Sequence, residues 1–374
     1  MKRRNHYRAL LALQRVPDLG LRRIKLLLDK TGVNDASELF GMRARDLLRI
    51  DGIGEAVAKN VAAFDRWPET DSILEKTEKT GASLVSIDDA EYPGYLRHIY
   101  DPPVLLWIKG DKRVLDQDGV AIIGTRRPSK YGMDQAIKWA RSLSDAGLCI
   151  NSGLAYGVDA VAHKSTLDAG GKTVAVLGSG IDVIYPAKNK HLADRIIETG
   201  GAVITEYPPG TPPDAVNFPG RNRIVSGMSR GVLVIESGIK GGSMITARYA
   251  LDQNREVFVI PHTLNHMRGE GCNYLIKTGQ GKLVQKPEDI FDEISIHTND
   301  SAVPAKPEEF NKWKSLELTG QDIEICQILS GGYLHIDQIS VKSGKPTYQL
   351  LPQLLELEML GAVRQKAGKY FGLC

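Results

Sequence analysis

Apolar residues recur every three or four positions near the start of the chain, at Leu10, Leu13 and Val16 and again at Ile24, Leu27 and Leu28. That spacing predicts amphipathic helices. From Val120 the pattern changes to short unbroken apolar runs, at Val120–Ile123, Leu148–Ile150, Val174–Leu177, Ala202–Ile204, Val232–Ile235 and Val257–Ile260, with amphipathic stretches between them. Runs that do not alternate are strands covered on both faces, so this region reads as a doubly wound, Rossmann-like parallel sheet in an α/β domain. The segment 296–311 is polar, contains proline and lacks any period, and reads as a linker. Beyond it, Thr319–Leu329, His335–Val341 and Pro346–Leu360 predict three helices, and AVRQKAGKYFGL a two-stranded wing turning at Gly368. The expected organisation is a small N-terminal helical domain (1–68), the α/β domain (80–292), the linker and a C-terminal winged helix (312–374).

Four glycine-punctuated turns follow the apolar runs: IIGTRRP, NSGLAYGVD, VLGSGID and IESGIKGGS. Glycine lets a ligand approach the main chain closely, and such turns offer N–H groups to anions. Ligands of doubly wound sheets sit outside the carboxyl ends of the strands, where these turns fall. The expectation is a surface that holds several phosphates, with the turns as successive stations along one strand and Arg126-Arg127 adding charge.

Composition bounds the alternatives. A chain of 374 residues with 42% apolar content is expected to form two or three soluble domains. The longest apolar runs fall far short of a membrane span and MKRRNHYRAL has no secretory apolar core, so the expected compartment is the cytoplasm. Four cysteines without a C-x-x-C pair argue against a disulfide framework or a zinc site. Net charge is +3, but Met1 to Asp65 holds 13 Lys and Arg against 8 Asp and Glu. An anionic partner and a solvated helical face fit that excess equally. The same segment contains Gly52-Ile53-Gly54 between apolar helical runs, which resembles a helix-hairpin-helix turn and is equally compatible with a simple turn between packed helices.

The usual nucleotide and catalytic signatures fail. Gly178-Ser-Gly180-Ile-Asp-Val183 has valine where a dinucleotide fingerprint needs its third glycine, and GGKT at Gly170–Thr173 precedes a strand instead of following one. No G-x-S-x-G elbow is present, and His262 and His266 lack the intervening glutamate of a metalloprotease helix, so they read as ordinary histidines. Glu206, Glu236 and Asp159 read as helix anchors or arginine partners more readily than as acids or bases. What fits is a phosphodiester platform: Phe218 offers a stacking face, and Arg221 and Arg223, flanking Asn222, offer guanidinium forks. The competing assignment puts Phe218 in the core and pairs one arginine with Glu206 or Glu236.

The stretches IIGTRRPSKYG, NSGLAYGVDAVAHKSTLDAGGKTVAVLGSGIDVIYPAKNKHL, ITEYPPGTPPDAVNFPGRNRIVSGMS and GGSMITARYALDQNREVFVIP, in that order and spacing, resemble the DNA-processing protein A (DprA/Smf) family. The resemblance implies a bacterial cytoplasmic protein that binds single-stranded DNA, forms a homodimer and loads RecA recombinase during DNA uptake and recombination, without a cofactor, a metal or an enzymatic activity. By motif, the DNA surface it implies comprises Gly124, Arg126, Arg127, Ser152, Gly153, Gly157, Lys188, Lys190, Phe218, Arg221, Asn222, Arg223, Gly241, Gly242 and Ser243. Two positions depart from the family pattern: His262 replaces a usual glycine, and Ala187 stands where a lysine is expected. The alternative is an enzyme, a nucleoside-monophosphate phosphoribohydrolase with a P-G-G-x-G-T loop, but Lys240–Thr246 lacks its leading proline and a glycine. In the winged helix, the candidate recognition helix carries Glu356 and Glu358 and no Lys or Arg, so it is expected to stay out of a DNA groove, leaving phosphate contact to Arg364, Lys366 and Lys369 of the wing.

Overall fold

The computed structural model describes residues 2–33, 35–294, 313, 316, 318–366 and 368–374. The predicted linker, 296–311, lies outside them. Among the described residues, five α-helices, at Lys2–Leu13, Leu21–Thr31, Ala44–Leu47, Glu55–Ala62 and Trp67–Thr80, precede the first strand. The large sheet is built from β1 (Ser83–Ser86), β2 (Leu105–Gly110), β3 (Gly119–Ile123), β4 (Cys149–Ser152), β5 (Thr173–Val176), β6 (Ala202–Thr205), β7 (Gly231–Val234), β8 (Glu256–Val259) and β9 (Lys282–Leu283). Their order is β1-β2-β6-β5-β4-β3-β7-β8-β9. Strands β3 to β9 pair in parallel, and β3 to β8 match the six apolar runs within a residue or two.

The sheet is nevertheless mixed. β2 joins β6 antiparallel and β1 joins β2 antiparallel, so two strands outside the six apolar runs are added at one edge of the sheet. The run Val104–Trp107 is fully buried there. An apolar run carries no information about the direction of its partner, which is why periodicity leaves this edge unassigned.

Alternation along each central strand sends residues to two separate cores. Ala121, Ile123, Val232, Val234, Val257 and Val259 pack on one face, and Val120, Ile122, Leu233, Ile235, Phe258 and Ile260 on the other. The first core continues without a break into Leu10, Leu13, Ile24 and Leu27, so the N-terminal helices are seated on the α/β domain. Trp107, fully buried, donates its indole N–H to Thr77 Oγ1 at 2.8 Å and ties the Trp67–Thr80 helix to the sheet. Gly52, at φ +93°, and Gly54 are exposed, and Gly54 precedes the Glu55–Ala62 helix.

The C-terminal unit has its own core around Ile325, Ile339, Leu350, Leu354 and Phe371. Helices Gly320–Ile328, Ile336–Ser343 and Thr347–Met359 accompany a three-stranded sheet in which β10 (Leu334–His335) lies between the first two helices in the chain and β11 (Val363–Lys366) and β12 (Tyr370–Leu373) follow the third, in the order β10-β12-β11. Gly368 turns the wing at φ +76°, and a Cβ there would meet Glu293 O at 1.8 Å, so the wing tip lies against the Glu288–Ile294 helix. Arg255 and Asp337, 2% and 8% exposed, pair at 2.7 Å between the two units. Lys369 is drawn to Glu256 at 3.6 Å and Lys366 lies over the Tyr333 ring. Of the three wing cations expected to be free for phosphate, Lys369 is therefore spent on docking. No described helix is long and apolar enough to cross a membrane.

Candidate nucleic-acid interface

The chain runs outward from β3 through β4, β5 and β6, then returns to the other side of β3 for β7 and β8. Adjacent strands whose connections leave in opposite directions open a crevice at their carboxyl ends. A cleft of about 690 Å³ lies there. It is lined by the first turn (Gly124, Thr125, Arg126), the second (Gly153, Ala155) and the fourth (Ser237, Gly238, Gly241, Gly242, Ser243), together with Tyr185, Phe218, Arg221 and Asn222.

Backbone contacts hold these turns together. Thr125 N–H donates to Glu236 O at 2.7 Å, and Val158 N–H donates to Thr125 O at 3.2 Å, so the fourth, first and second turns form one rim. Gly157 sits at φ +75° with the first turn against it, and a Cβ would fall 2.4 Å from Thr125 O. Its part is to let two loops touch, and it does not line the cleft. Ser152 is also beneath the surface, fully buried, with its hydroxyl donating to Ile122 O at 2.6 Å.

The third turn is a support instead of a station. Gly178 and Gly180 are buried outside the cleft lining, and a Cβ on Gly178 would lie 2.9 Å from the Phe218 ring. Its glycine makes room for the aromatic side chain that does face the cleft.

Helix Asn217–Gly227 supplies one wall. Phe218, Arg221, Asn222 and Val225 all line the cleft, and their spacing of i, i+3, i+4 and i+7 is one face of a helix. Arg223 is rotated off that face. Its guanidinium makes two 2.7 Å hydrogen bonds to Glu206 and one of 3.0 Å to Asp101, and its side chain is 4% exposed. Burial opposes its charge, but Glu206, Asp101 and Tyr92 together outweigh burial and raise its pKa. The expectation that Arg223 clamps phosphate is corrected: its charge is consumed inside the fold, as the competing assignment allowed.

Arg221 is different again. It lies in the cleft floor, 5% exposed, and donates to Gly153 O at 2.5 Å and to Val176 O, so it ties together the ends of β4 and β5. Burial pushes its pKa down to about 10 against the attraction of Asp159, which still leaves it charged at neutral pH. Asp159 accepts N–H groups of Gly153 and Ala155 at 3.1 and 3.4 Å, and burial raises its pKa despite Arg221. It is a turn anchor, as its position suggested. Glu236 has the same kind of role, accepting Ser129 N–H at 3.1 Å and Ser129 Oγ–H at 2.6 Å beside the start of the Lys130–Asp145 helix.

The exposed charge comes from the first turn. Arg126 and Arg127 are exposed and form no ion pair among the described residues. The Arg126 guanidinium stands 5.8 Å from the Phe218 ring centre, and Tyr185, 42% exposed, lies against the same ring at 5.6 Å. Arg126, Tyr156, Tyr185 and Phe218 also share a smaller pocket at the end of the cleft. In the fourth turn, the Gly242–Asp252 helix begins with no side-chain cap, and Gly241, Gly242 and Ser243 face the cleft. Uncapped N–H groups with the positive end of the helix dipole form an anion site. Lys188 and Lys190 are exposed just beyond Tyr185 but do not line the cleft.

Two tyrosines, Tyr156 and Tyr185, are absent from the site as read from sequence. Nothing in an isolated Tyr-Pro or Ala-Tyr-Gly distinguishes a solvent-facing ring from a packed one. The helical register of residues 218 to 225, by contrast, was available as a signal and separates Arg221 and Asn222 from Arg223.

The family model described as DNA recombination-mediator protein A matches residues 83–295. The chain belongs to the DprA/Smf family. A second model, the DprA winged helix domain, matches residues 314–369. Protein Smf of Escherichia coli is 35% identical over 330 residues, 87% of each chain. DNA processing protein DprA of Streptococcus pneumoniae is 42% identical over 240 residues, 64% of this chain and 84% of that one. The X-ray structure of the Streptococcus pneumoniae DprA superposes with a TM-score of 0.66 at 36% identity, covering 78% of this chain and 99% of that one. DNA processing protein A of Helicobacter pylori, whose structure is described as revealing a unique single-stranded DNA binding mode, has a TM-score of 0.51 at 32% identity, covering 56% of this chain and 94% of that one. This DprA/Smf member therefore carries its cleft in the domain that its family model spans.

Proposed function

We propose that this protein binds single-stranded DNA along the cleft, delivers RecA recombinase to it, and acts as a cytoplasmic homodimer in DNA uptake and recombination without a cofactor or a catalytic step. The observation that carries the binding reading is the meeting of the unpaired Arg126, with Arg127 exposed beside it in the chain, a half-buried Phe218 against an exposed Tyr185, and an uncapped helix N-terminus at one open cleft. Aromatic faces stack on bases of any sequence, and arginines and N–H groups take phosphates. That combination suits a polymer better than a mononucleotide substrate. The carboxylate lining the cleft, Asp159, is buried and bonded to the backbone of its own turn, which leaves the phosphoribohydrolase alternative without an evident acid or base. The relatives support the same reading, since one of them is described by its single-stranded DNA binding mode.

Polarisation titration of the full chain with a labelled thymidine oligomer and with a duplex of equal length tests this. Tight oligomer binding with weaker duplex binding is the expected result. Release of base from AMP without oligomer binding would favour the enzyme. RecA delivery is tested separately, by whether the protein accelerates RecA filament assembly on strands precoated with single-strand-binding protein.

A further inference from the structure

Just behind the fourth turn, three side chains converge that the cleft does not use. One oxygen of Glu236 and one ring nitrogen of each of His262 and His266 lie within 4.8 Å of one another. The sequence reading treats the two histidines as ordinary because no carboxylate adjoins them in the chain. The carboxylate arrives from β7, on the neighbouring strand.

Several features distinguish this cluster from a chance gathering of polar groups. Glu236 is completely buried, and its described partners are Ser129 N–H and Ser129 Oγ–H, both neutral. The nearest cationic candidate, His266 Nε2, stands 3.6 Å from Glu236 Oε1, too far for a hydrogen bond. That Nε2 atom is itself buried and has no hydrogen-bond partner among the described residues. The His262 ring stacks on His266 with centroids 5.4 Å apart and planes 10° apart. Its Nε2 is 2.8 Å from Ile235 O, so a proton there is donated to the carbonyl and Nδ1 is left with a lone pair.

The supporting shell is also in place. Metal-ligating histidines characteristically donate their second N–H to a carbonyl or carboxylate, which fixes the ring and its tautomer. The His262 backbone is clamped on both sides by Asn273, at 3.0 and 2.9 Å, and its ring meets Tyr131 edge-on at 5.2 Å. Gly269 makes room for the His262 side chain, since a Cβ there would lie 2.3 Å from it. Three ligands at 2.0–2.1 Å from one tetrahedral ion are spaced about 3.4 Å apart, so a side-chain adjustment of about 1 Å closes the set.

We propose that Glu236, His262 and His266 bind a divalent transition-metal ion of the Zn²⁺ class. Two imidazoles and a carboxylate suit Zn²⁺ and leave its fourth position open. The ion would give the buried carboxylate a counter-charge and brace the 262–269 loop against the fourth turn, whose Ser237 and Gly238 line the cleft. The proposal stands on the cluster alone and does not depend on what the cleft binds.

The test is equilibrium dialysis of the metal-free full chain against Zn²⁺ at pH 7.5, with bound zinc quantified, followed by Co²⁺ substitution and visible absorption. One equivalent of zinc and a tetrahedral Co²⁺ spectrum are expected. His266→Ala and His262→Ala should each weaken uptake at least about 10-fold, while Cys272→Ser, altering the buried thiol nearby, should leave it unchanged. Circular dichroism of each variant confirms folding, and His266, a third exposed, is the safer of the two histidines. No uptake by the wild-type chain would overturn the proposal. Undiminished uptake by both histidine variants would overturn it equally, by placing the ion elsewhere.

Discussion

Arg223 and Glu206 form a bidentate pair, with Nη1 to Oε1 and Nη2 to Oε2 both at 2.7 Å and side chains 4% and 11% exposed. The pair joins helix Asn217–Gly227 to the residue that follows β6, so the wall carrying Phe218 is fixed to the sheet by a buried ion pair. Removing one partner of such a pair strands the other's charge.

Arg223→Ala is expected to destabilise the α/β domain by about 3–5 kcal/mol, because Glu206 is left buried without its cation. Chemical denaturation measures this. Unchanged stability with weakened DNA binding would return Arg223 to the interface.

Arg126→Ala combined with Arg127→Ala should leave the denaturation midpoint within error and weaken single-strand binding for all base compositions alike. Each phosphate contact on a single strand contributes about 0.7 to the slope of log K against log salt, so losing two should reduce that slope by about 1.4. Titrations at several salt concentrations decide it, and an unaltered slope would remove both arginines from the phosphate path.

Phe218→Ala should cost about 1–3 kcal/mol of binding, the range for loss of one stacked base, with a flat dependence on salt. A change in the salt slope instead would show that the ring acts by positioning Arg126, 5.8 Å away. Oligomers of dT and dA compared at one salt concentration add a check, since stacking tolerates either.

His163 gives a pH dependence with a definite sign. It is fully buried, its Nδ1 is 2.7 Å from Thr173 Oγ1, and burial lowers its pKa from 6.5 to about 3. The folded chain keeps the ring neutral while the unfolded chain takes up a proton below 6.5. Stability is therefore full above pH 6.5 and is lost as pH falls toward 3, by about 1.4 kcal/mol per pH unit for this group. Burial depresses His98 in the same direction, so the wild-type dependence is steeper than one proton. His163→Gln should flatten the denaturation profile between pH 6.5 and 5 by one proton; an unchanged profile would mean that the ring titrates normally.

The apolar runs of the sequence located β3 to β8 because a strand buried on both faces must be apolar throughout, and the helical spacing of 319 to 360 located the three C-terminal helices. The glycine turns marked the edge of the sheet where the cleft opens, since only glycine permits such close backbone approach. Which turns face the cleft was decided by tertiary structure. The third turn spends its glycine on receiving Phe218, and Gly157 spends its own on receiving the first turn. Charge was decided in the same way: Arg126, Arg221 and Arg223 are chemically identical in the sequence, yet one is free, one bridges two strand ends and one is neutralised. The neighbours that decide this come from distant strands. Local pattern fixes what a segment must bury, and only the assembled fold fixes which charges find partners.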